Sequence, residues 1–114
     1  MIEFAEIAVF TDDVDAARIF YEHLLGVSPQ AEWSGGAIYA AGSMKLLVHE
    51  RSGAMENGPP NEDHIALGVP DLDSAYDELR AQGVAFLVEP RDYPWGRSAY
   101  LRDPDGRLLE LAET

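Results

Sequence analysis

The chain repeats itself. Shifted by 58 positions, the interval from Glu6 to His64, Glu6-Ile7-Ala8-Val9 falls on His64-Ile65-Ala66-Leu67. In the same frame Asp13-Val14-Asp15 falls on Asp71-Leu72-Asp73, and Ala17 on Ala75. Identity at Ile, Ala, Asp, Asp and Ala, at one offset across a strand-to-helix junction, marks an internal duplication. Each copy reads β-α-β-β-β, a unit that cannot bury both its helix and its sheet face alone. The expected fold is therefore α+β, two such modules related by a pseudo-twofold and wrapped into a half-open barrel, with helices outside and a cavity inside. At 114 residues the chain has the length of a single domain. The first module is expected over 1–50, a Gly/Pro-rich linker over 51–62 and the second module over 63–114.

Local signals fill in the modules. Residues 4–10 alternate as a strand. Asp12 and Asp13 then offer helix caps, and Val14, Ala17, Tyr21, Leu24 and Leu25 recur at helical spacing up to Gly26, with Phe20 and Tyr21 expected in the core. Three short strands follow, around Glu32–Ser34, Ala37–Ala40 and Met44–His49, punctuated by Gly35-Gly36 and Gly42-Ser43. In the second copy His64–Val69 is a strand, Asp71 a cap, and Leu72, Ala75, Tyr76 and Leu79 a helical stripe ending before Gly83. Ala85–Val88 reads as a strand and Glu89–Gly96 as a loop. The chain closes on a hairpin from Arg97 to Ala112 around Asp103-Pro104-Asp105-Gly106, where Pro104 fixes φ at the first corner and Gly106 supplies the positive φ.

Composition excludes several function classes. There is no cysteine, so disulfides, thiolate nucleophiles and Cys-based zinc sites are absent. The formal charge is −13, from 21 acidic against 8 basic residues, and Lys45 is the single lysine. So few cations give counterion release little to work with on nucleic acid, and anionic membranes repel such a surface. No apolar run approaches the ~20 residues of a membrane span, and the first residues lack the basic start of a signal peptide. The expectation is a soluble, cytoplasmic protein with no nucleic-acid or membrane partner.

Strand alternation then sorts faces. Ile7 and Val9 suit the helix-covered side, which leaves Glu6, Ala8 and Phe10 facing inward; Ile65, Leu67 and Val69 leave His64, Ala66 and Gly68 inward. In Leu108-Leu109-Glu110-Leu111-Ala112, Glu110 shares its face with Leu108 and Ala112, a costly place for a carboxylate without a proton, cation or donor. Matching Leu46-Leu47-Val48 to Leu109-Glu110-Leu111 puts Leu47 where the second copy has Glu110. Glu6, His64 and Glu110 are thus expected to converge. Two carboxylates and an imidazole suit a divalent metal. Equally, Glu6 can sit at a strand end in water while His64 donates to Glu110 as a satisfied neutral pair.

These features together resemble the vicinal oxygen chelate superfamily: the paired modules, the Asp13…Phe20-Tyr21…Leu25-Gly26 helix and the Asp103-Pro104-Asp105-Gly106…Glu110-Leu111 ending. The superfamily includes glyoxalase I, bleomycin-resistance proteins, extradiol dioxygenases, fosfomycin-resistance enzymes and methylmalonyl-CoA epimerase. The resemblance implies a homodimer acting on a small oxygenated substrate through a divalent metal as Lewis acid, with ligand positions at Glu6, Leu47, His64 and Glu110. Leu47 cannot coordinate and Glu6 stands where His is usual, so a three-ligand site of Glu6, His64 and Glu110 is expected, with Mn, Fe or Mg favoured over Zn and Ni also possible. Glu110 and Glu6 are then the candidate catalytic bases. The alternative that the resemblance implies is a metal-free protein sequestering a cationic or aromatic drug. Trp33, Tyr39, His49, Tyr93, Trp95 and Arg97 are the expected ligand contacts, Arg97 being better suited to salt bridges on an acidic surface.

Overall fold

The computed structural model describes residues 2–51 and 59–114. Most of the expected linker, residues 52–58, lies outside the described residues. The chain divides into two compact units, one spanning Glu6–Asp63, the other joining the residues up to Ala5 to His64–Thr114.

The first unit carries β1 (Glu3–Thr11, from Glu6 onward), α1 (Val14–Leu25), β2 (Ala31–Trp33), β3 (Gly36–Ala41) and β4 (Met44–Glu50), with strand order β2-β3-β4-β1. The second carries β5 (His64–Val69), α2 (Leu72–Ala81), β6 (Val88–Tyr93), β7 (Gly96–Arg102) and β8 (Leu108–Glu113), in the order β6-β7-β8-β5. The duplication is kept down to register: β1 runs parallel to β4 with Ala8 opposite Leu47, and β5 runs parallel to β8 with Ala66 opposite Glu110.

Each helix starts on its own aspartate. The Asp13 carboxylate accepts from Ala16 N at 3.0 Å and the Asp71 carboxylate from Ser74 N at 3.1 Å, satisfying one orphan donor in each first turn. Gly26, at φ 67°, ends α1 in the left-handed conformation that a Cβ disfavours. The sheet-facing stripe of α1 is Ala17, Tyr21 and Leu25, packed with Val9 and Leu46 on buried Ala37, Tyr39 and Val48. Phe20, expected in the core, is instead exposed, as is Leu24. Residues four apart stack along one helix face, so Phe20 and Leu24 form the row beside the buried one. In α2, Leu72, Ala75 and Leu79 pack with Leu67, Val69, Phe86, Ala99, Leu101 and Leu111.

The strand expected at Ala85–Val88 and the loop at Glu89–Gly96 are corrected: residues 84–87 are irregular and β6 is the strand. Pro90 lacks the N–H a ladder needs, but β6 is the outermost strand of its unit, and a bulge between Val88 and Arg91 absorbs the proline. The β7–β8 turn is held by Asp103, whose carboxylate accepts from Asp105 N and Arg107 N, both at 2.9 Å. Among the described residues no helix is long and apolar enough to cross a membrane.

Leu72 is fully buried, so Leu72→Ala is expected to cost about 2–5 kcal/mol of unfolding free energy, read by urea denaturation. The backbone donor of Arg107 lowers the Asp103 carboxyl below its ordinary value of 3.8, and that of Ser74 lowers Asp71 in the same way. Groups depressed by folding stabilise above their unfolded value and lose that contribution as pH falls through the folded one. The melting temperature should therefore fall below about pH 4, and less steeply in Asp103→Asn, as scanning calorimetry would show.

Candidate functional site

In the second unit the face away from α2 is polar at its centre. Glu110 lies on β8 between Ala66 of β5 and Tyr100 of β7, and Ser98 is two residues from Tyr100 on the same face. The Ser98 hydroxyl donates to one Glu110 carboxylate oxygen at 2.7 Å. The other oxygen meets His64 Nε2 at 3.0 Å. Ser98 is fully buried, Glu110 is 7% exposed and His64 9%. A carboxylate so enclosed is tolerable because each oxygen has a donor; the imidazole contact needs one proton between the two groups. Tyr100 closes the row, its ring set edge-on to His64 at 5.9 Å.

Beside this chain stand Tyr93 and Trp95. Their rings stack at 4.7 Å across the Pro94-Trp95 turn, and Tyr93 meets Tyr100 edge-on at 6.2 Å. The Tyr93 hydroxyl is buried with no hydrogen-bond partner among the described residues. Burial pushes this phenol above its ordinary value, Arg91 opposes the shift and the Glu110 charge reinforces it. Trp95 is exposed. Arg97, expected as a ligand contact, is engaged elsewhere: it donates to Asp73 at 2.9 Å and to Asp92 at 3.1 Å, and both hold its guanidinium protonated.

The first unit has the same frame with different chemistry. Leu47 occupies the place of Glu110, directly opposite Ala8. Glu6 sits on β1 opposite Lys45. His49 lies between Phe10 and Trp33, with ring centroids 5.3 and 6.3 Å away, and its Nδ1 donates to the Glu50 carbonyl at 2.7 Å. Gly36 stands opposite His49; a Cβ there would meet the Val48 carbonyl oxygen at 2.2 Å and the Trp33 indole at 3.0 Å. Trp33 is 41% exposed. Tyr39 is corrected from ligand contact to core. It pairs with Leu46 on the helix-covered face, is fully buried and donates to the Glu22 carboxylate on α1 at 2.7 Å.

The family's sequence profile for the Glyoxalase/Bleomycin resistance protein/Dioxygenase superfamily matches residues 3–111. The chain belongs to this superfamily. YetH of Bacillus subtilis is 25% identical over 94% of both chains. Glutathione transferase FosA of Serratia marcescens is 28% identical over 87% of this chain and 72% of its own. Methylmalonyl-CoA epimerase from Mycobacterium tuberculosis shares the fold, with a TM-score of 0.77, 23% identity, and 97% of this chain and 87% of that chain covered.

The superfamily frame makes the donor inventory informative. Among the described residues, no group of three His, Cys, Asp or Glu side chains could hold a metal ion. The second unit supplies two donors, His64 and Glu110, that are bonded to each other, one fewer than a three-ligand centre needs. Ser98 and Tyr100 escaped the sequence reading, although counting back across the Asp103–Gly106 turn from Glu110 reaches both. Ser98→Ala would strand a buried carboxylate oxygen, and is expected to destabilise the fold by about 1–3 kcal/mol in chemical denaturation.

Proposed function

We propose that this superfamily member is a glyoxalase-type enzyme acting on a small oxygenated molecule, with Glu110 as the group that moves the substrate's proton. One observation carries the reading: a nearly buried carboxylate is held by Ser98 on one oxygen and His64 on the other, on the face that α2 does not cover. Fixed donors on both sides orient the carboxylate, and exclusion of water strengthens each contact. The C–H bond of a hydroxyl-bearing carbon next to a substrate carbonyl breaks, the proton goes to a Glu110 oxygen, and the electron pair moves onto the carbonyl oxygen to give an enediolate. Return of that proton to the former carbonyl carbon, with the hydroxyl proton passing to the oxygen on that carbon, completes an isomerisation and leaves Glu110 as it began. His64 positions the carboxylate throughout, and Ser98 keeps its second oxygen satisfied.

Proton–deuterium exchange at carbon, followed by NMR in D2O with hemithioacetals and 2-oxo acids, tests this. Glu110→Gln should lower exchange by about 100-fold or more, and His64→Ala by less. Equal exchange in wild type and Glu110→Gln would sink the proposal. Elemental analysis of untagged protein decides whether a divalent cation joins His64 and Glu110. Stoichiometric Mn, Fe, Ni or Zn, lost on His64→Ala, would add a Lewis acid beside the carboxylate.

A second reading, sequestration of a cationic aromatic drug, is favoured by the Phe10–His49–Trp33 cluster with its open indole and by the net charge of −13. It expects bleomycin to quench tryptophan fluorescence at micromolar concentration and Trp33→Ala to abolish the effect.

A further inference from the structure

Arg91 shares a sheet face with the buried carboxylate. It stands directly opposite Ser98 across the β6–β7 ladder, and Ser98 is bonded to Glu110. Its side chain is half-buried and makes no hydrogen bond or ion pair among the described residues. Arg18, Arg51, Arg97 and Arg107 each hold at least one carboxylate. In a chain with 21 acidic residues, a half-buried guanidinium without a carboxylate is a desolvation cost with nothing to offset it.

Two residues along the same face, the buried Tyr93 hydroxyl also lacks a partner among the described residues. Buried polar groups in folded proteins are almost always bonded, so an orphaned hydroxyl calls for a water or a ligand. Arg91 and Glu110 both act electrostatically on it, which makes guanidinium, phenol and carboxylate neighbours.

We infer that Arg91 and Tyr93 form an anion-binding subsite beside Glu110, and that the molecule handled here carries a carboxylate. A guanidinium offers a carboxylate two parallel N–H donors, and the phenol adds a third. The arginine charge also offsets repulsion between the incoming anion and Glu110. The inference rests on the proton-transfer reading only in placing the reacting carbon next to Glu110.

Calorimetric titration of the intact protein with benzoylformate, and with its uncharged methyl ester, tests the subsite. The acid should bind at least about tenfold tighter than the ester. Arg91→Met should weaken the acid by about ten- to a hundredfold and leave the ester unchanged, Tyr93→Phe should weaken the acid by less, and Arg91→Lys should recover part of the loss. Equal affinity for acid and ester, no binding of the acid, or acid binding unchanged in Arg91→Met overturns the subsite. Should a variant fail to fold, the acid–ester comparison on wild type decides alone. Glu110→Gln separates the two claims. Acid selectivity kept while carbon exchange is lost supports both, whereas selectivity kept with exchange unaltered removes the catalytic reading and leaves the subsite standing.

Discussion

A carboxylate out of water has to be answered by donors, and in this chain Ser98 and His64 answer Glu110 from opposite sides. That requirement organises the second unit. It fixes which face of β7 and β8 turns away from α2 and puts Tyr100 across from the acid. It also makes the polar centre a fixed arrangement, because moving any member leaves a charged oxygen unpaired. The apolar layer on the other face, from Leu72 through Ala99 to Leu111, is conventional packing.

The two copies show how one backbone plan supports two chemistries. Ala8 faces Leu47 and Ala66 faces Glu110 at equivalent ladder positions, so an apolar contact in one copy is an acid in the other. The first copy invests in rings, with His49 set between Phe10 and Trp33, while the second invests in charge and hydroxyls. Membership of the superfamily is written in what the copies share, namely the capping aspartates, the strand order and the parallel pairing. Function is written in where they differ.

Much of this was legible in the residues alone. The offset of Glu6 to His64, the aspartate caps and the Asp103–Gly106 turn determined the helices and the last hairpin, because these signals are local and chemically specific. The His64–Glu110 pair followed from alternation on two strands. Alternation failed where a strand is irregular or short. Pro90 reads as a loop residue until the edge position and bulge of β6 are known, and with β6 hidden, Arg91 could not be placed on the face of Ser98. Tyr39 was drawn to the site by its ring, although its register opposite Leu46 assigns it to the helix side.

Gly36 shows how narrow the freedom around the aromatic cluster is. The Val48 carbonyl occupies the volume of a first side-chain carbon there, so even alanine would push β3 off β4. Trp33 and His49 therefore rest on a ladder whose spacing at this point admits glycine alone. The lone hydrogen at position 36 is what lets the two strands lie close enough to carry those rings, so the cluster depends on an atom that none of its members supplies.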